Sequence, residues 1–233
     1  SLSKTMAGFI GSAVVLGSFV ISLLLFLEVK SGNAQTLHYF NFITVDTLKI
    51  GFDFKFDQLS SLFLLIITGV GFFFFVYSTA YMHEEEGKDF AKYFAYLNLF
   101  VFSMLLLVLG SNYVIMFIGW EGVGLCSYLL IGYWFKNTAY TAAANKAFIM
   151  NRIGDLGFLL AVFWIIAKTG SVDYDRVLVA DALKNLSATE ITGITLLLFV
   201  GATGKSAQIP LYTWLPDAMA GPTPVSALIH AAT

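Results

Sequence analysis

Apolar residues run along this chain in blocks of about 20, the length that crosses the hydrocarbon core of a bilayer as one helix. Met6–Leu27 is the first block, followed by Leu62–Met82, Tyr93–Leu109, Tyr113–Phe135 and Ala147–Ala167. Only Gly110, Ser111 and Asn112 part the third block from the fourth, so those two helices form a tight antiparallel pair. A sixth block starts at Ile191, meets Pro210 and Pro216, and ends near Gly221. A seventh begins at Pro224, with Thr223 placed as N-cap and proline at the first helical position. One stretch has a different period. Across Gly51–Asp57, Phe52, Phe54 and Phe56 alternate with Asp53, Lys55 and Asp57, which is strand patterning and predicts a small β-hairpin between the first two spans. The fold class is therefore all-α, a polytopic membrane helix bundle with one broken helix and one extramembrane hairpin.

Composition supports the pattern and narrows the function. The residues AVILMFWYC make up 58% of the 233-residue chain and charged residues 12%, about half the charged share of soluble domains. Mean hydropathy is +0.79. A water-soluble chain of this size has no interior large enough for so much apolar surface. A net charge of −2 offers no basic face, which excludes nucleic acid as a partner. Cys126 is the only cysteine, so no intrachain disulfide forms. Residues 1–233 read as a single transmembrane domain of six spans plus the start of a seventh, with extramembrane loops at 28–56 and 168–190. The chain opens without Met and stops partway through a helix, which reads as a fragment of something longer. Basic residues fall on both sides of the membrane, several in long loops, and do not orient the protein by themselves.

Charges inside the spans carry the chemistry. An ionised group at mid-bilayer costs roughly 3 kcal/mol, so those present face protein or water and are commonly functional. At 1.5 Å per residue, Glu121 lies about 12 Å into the fourth span and Asp155 about 12 Å into the fifth from the opposite side. Lys205 lies about 9 Å from the side at which the sixth span ends, and His230 about 9 Å inside the seventh from that same side. Four titratable groups on four helices share one central band. This predicts a direct or single-water contact between Glu121 and Lys205. Arg152, one turn before Asp155, is placed either to snorkel or to pair with it at i,i+3. Pro210 has no N–H, so the carbonyl of Ser206 loses its helical partner beside Lys205. Unpaired backbone inside a membrane persists only where protein or a water-filled cavity satisfies it, and a broken helix with a charge at the break is a transporter device.

Other apparent motifs fail. Gly204–Lys205–Ser206 imitates the end of a phosphate-binding loop, yet Phe199 stands where its first glycine belongs and no strand precedes it. His83-Glu84-Glu85-Glu86 lacks zinc-protease spacing, and His38, His83 and His230 are scattered, so no metal or haem pair is predicted. The Phe72–Phe75 run reads as lipid-facing or packed aromatic surface.

The run from Trp120-Glu121-Gly122 through Ser127-Tyr128 to Gly132 resembles the glutamate helix of the large antiporter-like membrane subunits of respiratory complex I. Asn151-Arg152-Ile153-Gly154-Asp155 is similar to the next helix of that family. Gly204-Lys205-Ser206 through Pro210 is similar to its broken helix. Trp214-Leu215-Pro216-Asp217 through His230-Ala231-Ala232-Thr233 is similar to the segment that the family carries after that break. The likeness runs from about Asp57 to the end; the first span agrees only in hydropathy and position. The resemblance implies that Glu121 and Lys205 are a membrane-embedded proton-handling pair, that His230 relays protons between half-channels, and that Asp155 with Arg152 couples to a neighbouring subunit. It implies proton translocation driven by redox chemistry elsewhere. NADH, flavin, iron–sulfur clusters and quinone belong to other subunits, so this chain carries no cofactor of its own. Its partners would be the other complex I membrane subunits, the lipid bilayer and protons, in a bacterial inner membrane or, alternatively, a mitochondrial one. Mrp sodium/proton antiporters share the Glu and Lys and are the competing resemblance.

Overall fold

The computed structural model describes residues 3–30 and 32–232, with side chains through Ile229. The helices are α1 (Lys4–Val29), α2 (Gln58–Tyr81), α3 (Gly87–Leu109), α4 (Tyr113–Ile131), α5 (Thr138–Thr169), the short α6 (Tyr174–Val177) and α7 (Ala180–Lys184), α8 (Ala188–Lys205) and α9 (Thr223–Ala232). Strands β1 (Gln35–Val45) and β2 (Leu48–Phe56) pair antiparallel, and a 3₁₀ turn spans Asp217–Ala220. The hairpin is longer than its Phe/charge alternation indicated, because β1 lacks a clear period of two.

Five helices, α1 to α5, are long and apolar enough to cross a membrane. The sixth span differs from expectation. At 18 residues α8 is about 27 Å long, and it stops at Lys205 instead of continuing past Pro210 towards Gly221. Residues 206–216 run on as turns. α5 also departs from its apolar block, since Asn137 caps it through the Ala139 N–H and starts the helix nine residues before Ala147.

Helices α1, α2 and α3 pack on one another, α4 lies against α3 and α5, and α8 lies along α5. The phenylalanine run on α2 divides by helical phase. Phe73 is 71% exposed on the lipid-facing surface, while Phe75 is fully buried against Phe94. On the side that receives the hairpin, the turn before α4 organises everything. Asn112 accepts the Val114 and Ile115 N–H groups as N-cap, and its amide donates to the Gly51 carbonyl of β2 at 2.9 Å. Ser111 donates its N–H to Asp53, Tyr113 to Val172, and Tyr174 returns a bond to the Ser111 carbonyl. Two segments that are remote in sequence, the hairpin and the stretch after α5, are thus fastened at this one turn. Burial raises the carboxyl pKa of Asp173, which pairs with Asn112 in this cluster. On the opposite side, the Trp134 indole donates to Glu85 and Lys146 bonds Asp217, which ties the post-break segment to α5.

Asn112 is fully buried. Asn112→Ala removes the α4 cap, worth about 1 kcal/mol, and strands the buried Gly51 carbonyl, worth about 1–3 kcal/mol. The expected outcome is a clear loss of thermal stability in detergent, with Asn112→Asp retaining the cap but losing the donor and falling between the two.

Candidate functional site

The site lies where α4, α5 and the end of α8 converge. Glycines set its dimensions. A Cβ on Gly154 of α5 would stand 3.0 Å from the Gly204 Cα and 3.2 Å from the Gly201 carbonyl of α8. Gly157 likewise meets Val200 and Leu197. Two Gly-x-x-Gly pairs therefore face each other, and α8 approaches α5 closely enough to bring Lys205 beside the residues around Asp155. On α4, Gly124 faces Lys205: a Cβ there would lie 2.7 Å from the lysine Nζ.

The predicted charges do converge, but with different partners. Glu121 of α4 forms its ion pair with Arg152 of α5. Asp155, only 3% exposed, accepts the Trp120 indole N–H at 2.5 Å. The expected Arg152–Asp155 pair on α5 is therefore not made. Arg152 reaches across to α4 because Glu121 would otherwise be a membrane carboxylate without a counter-charge, while Asp155 turns into the interface and takes an indole donor. Of the direct or single-water contact expected between Glu121 and Lys205, the direct form is not made among the described residues. Lys205 stands over the Trp120 ring, 5.7 Å from its centroid, and the charges acting on it are Asp155, which attracts, and Arg152, which repels. Glu121 keeps its second oxygen, Oε1, buried and without a hydrogen bond among the described residues. The side chain of His230 lies outside the described residues, so the structure says nothing of its expected relay position.

Trp120 joins these groups. Its indole binds Asp155, one face stacks on Phe158 with centroids 5.3 Å apart, and the ring meets Lys205. Cation–π contact contributes about 0.5–2 kcal/mol where water is excluded. Sequence reasoning missed this role although Trp120 adjoins Glu121, because indole chemistry shows no charge or period.

The break after Lys205 is well built. The Gln208 N–H returns to the Thr203 carbonyl at 3.0 Å, and Ala207 holds the left-handed conformation that this helix ending requires, with φ +49°. The Gly204 carbonyl is satisfied by the Trp214 indole at 3.0 Å. As predicted from Pro210, no backbone N–H among the described residues donates to the Ser206 carbonyl. The Lys205 ammonium consequently sits at the negative end of the α8 dipole. With Glu121, Arg152, Asp155 and Lys205 ionised, two negative and two positive charges balance.

These features define a polytopic membrane protein with a charge-balanced polar cluster beside a broken helix. Residues 110–233 match the family described as NADH:quinone oxidoreductase/Mrp antiporter, TM, and residues 42–94 match NADH-Ubiquinone oxidoreductase (complex I), chain 5 N-terminus. The first match covers more than half of the chain, and the chain belongs to that family. It is 47% identical to the NADH-quinone oxidoreductase subunit L of Campylobacter jejuni, over 100% of this chain and 37% of that protein. It is 44% identical to the subunit L of Escherichia coli, over 97% of this chain and 36% of that one. The NADH-ubiquinone oxidoreductase chain 5 of Metridium senile is 44% identical, over 97% and 37% respectively. Among solved structures, the Mrp complex from Dietzia superposes with a TM-score of 0.83 at 27% identity, covering 97% of this chain and 24% of that one. An archaeal membrane-bound sulfane sulfur reductase shares the fold, with a TM-score of 0.80 at 22% identity. The chain spans little more than a third of the length of these curated relatives.

Trp120→Phe preserves the ring that stacks on Phe158 and faces Lys205 but deletes the donor to buried Asp155. Loss of a hydrogen bond to a charged group predicts about 1.5–3 kcal/mol of destabilisation. Trp120→Phe combined with Asp155→Asn should lose less than the sum of the two single changes, as measured by thermal unfolding in detergent.

Proposed function

We propose that the protein is a proton-translocating membrane subunit of an NADH:quinone oxidoreductase, working in a bacterial inner membrane or its mitochondrial counterpart alongside the other membrane subunits of that complex. The observation that carries this reading is Lys205: a lysine at membrane depth, at a helix break, with no carboxylate bonded to it directly among the described residues. A desolvated lysine exchanges its proton readily, and a nearby carboxylate holds that proton in place. Asp155 supplies the hold through Trp120. Glu121 is restrained by Arg152. Movement of Arg152 would release Glu121 and change the field that Lys205 feels, so the two ion-paired residues act as the control and the lysine as the carrier. His230, on the following helix, is the onward carrier that the family resemblance implies, since an imidazole exchanges protons near neutral pH. Redox energy reaches this cluster from other subunits, which hold the NADH, flavin, iron–sulfur and quinone chemistry.

The likeness to the Mrp complex favours a second reading, a sodium/proton antiporter that works without redox input. Cation-driven proton movement in the absence of NADH distinguishes it.

In the full-length protein within its assembled complex, Lys205→Ala should lower NADH-driven proton uptake into inverted vesicles at least about tenfold, the scale on which a positioned proton carrier contributes. Lys205→Arg keeps the charge but does not release a proton at accessible pH. It should fail equally, whereas a lysine that merely staples helices would be replaced by arginine with little loss. Normal pumping by an assembled Lys205→Arg complex contradicts the proposal.

A further inference from the structure

Between α4, α5 and the break lies a small cavity lined by Val123, Ser127, Phe148, Asn151, Lys205 and Trp214, among others. It has about 10 Å³ of space for the centre of a water molecule, the room that one water needs. Asn151 is 8% exposed and is absent from the charge cluster described above. Its amide nitrogen donates to the Ala147 carbonyl at 2.7 Å, one turn back on α5. That bond fixes the orientation of the amide, because a carbonyl needs a donor and the oxygen end has none to give. Oδ1 is left buried with no hydrogen-bond partner among the described residues. Leaving an amide oxygen in this condition costs about 1–3 kcal/mol unless a donor reaches it.

We infer that Asn151 is the positioning residue for a single water held between its Oδ1 and the Nζ of Lys205, and that this water is the group to which Lys205 first passes its proton. Only the passing of the proton rests on the proposed function; the water site stands on the cavity and the amide alone. The chemistry comes from what each atom offers. Oδ1 accepts and does not donate, so one hydrogen of the water points at Asn151 and a lone pair is left to face the lysine. An ammonium at that lone pair donates to it. When the proton crosses, the nitrogen keeps the electron pair of the broken N–H bond and the water forms a new O–H bond; the water's hydrogen that does not point at Asn151 then passes to a neutral imidazole, the onward carrier of the proposed function, and its bonding pair stays on the water oxygen. A direct carboxylate contact in place of the water would hold the proton on the lysine. Glu121 makes its ion pair with Arg152 and not with Lys205.

The experiment is a density map of the assembled, full-length complex at a resolution that shows ordered water, with Asn151→Leu and Asn151→Asp compared under the same conditions. Leucine has nearly the shape of asparagine without the acceptor; aspartate keeps an oxygen in the same place. The expected result is a water within about 3.2 Å of both Oδ1 and Nζ in the wild type. It should be retained in Asn151→Asp and lost in Asn151→Leu, whose proton uptake should fall at least about tenfold with the complex intact. A wild-type map without that water overturns the inference, and so does Asn151→Leu pumping at the wild-type rate. Should Asn151→Leu fail to assemble, the wild-type map decides alone. Normal pumping by Lys205→Arg removes the proton-carrier role but leaves the water site to be judged by the map, so the two failures are distinguishable.

Discussion

A charge in hydrocarbon must find its opposite or be neutralised, a carboxylate by gaining a proton and an ammonium by losing one, and that constraint fixes the centre of this molecule. Glu121, Arg152, Asp155 and Lys205 lie on three helices, and each is answered: Glu121 by Arg152, Asp155 by the Trp120 indole, Lys205 by the Trp120 face and the field of Asp155. Ion pairs of this kind add little net stability compared with apolar packing, because desolvation offsets most of the attraction. Their persistence in the middle of a membrane bundle therefore points away from stability as their purpose. Trp120 matters because it satisfies a carboxylate with a neutral donor, which leaves Lys205 influenced by a negative charge without being clasped by it.

The backbone geometry is subordinate to that arrangement. Side chains reach one another only because α8 lies against α5 at glycine distance, Gly154 on Gly204 and Gly157 on Val200. Any Cβ at Gly154 would meet backbone, so the approach cannot be restored by turning a side chain aside. The break then places Lys205 at the last position of its helix, where the unpaired carbonyls lend negative potential. Trp214 returns from the following segment to bond the Gly204 carbonyl. A continuous helix would have buried these carbonyls in its own ladder and carried Lys205 on an ordinary cylinder wall.

Hydropathy alone identified the five helices that are long and apolar enough to cross a membrane, because 20-residue apolar blocks have few other uses. The break was legible too, since proline removes a specific hydrogen bond at a specific carbonyl. The depth arithmetic brought Glu121, Asp155 and Lys205 to one level, and the structure brings them together there. Partner choice was not legible. Depth is one coordinate, and pairing depends on helix rotation and on side-chain reach, which the spacing of Arg152 and Asp155 on one helix does not reveal. The i,i+3 rule favoured a pair within α5, and the demand of Glu121 on the neighbouring helix overrode it. The end of α8 was misjudged for a similar reason: residues 206–216 are apolar enough to continue a span, but two prolines and the left-handed Ala207 turn them into a wall of the site.

The exchange of partners has a mechanical consequence. Had Glu121 been bonded to Lys205, proton release would require breaking a direct ion pair in a medium where such pairs are strongest. With Glu121 held by Arg152, the lysine is governed from a distance, and small movements of a third residue become effective. Arg152 is suited to this, being 42% exposed on the flank of α5 while its partner Glu121 is 22% exposed. Its guanidinium also lies 4.6 Å from the Phe148 ring, and Phe148 lines the cavity beside Lys205. A displacement of Arg152 thus alters two things at once, the freedom of Glu121 and the packing of the cavity wall. Electrostatic influence on the lysine and the packing of the cavity beside it are joined in one side chain, so a change at the outer surface of α5 can reach the Lys205 nitrogen without any helix moving as a whole.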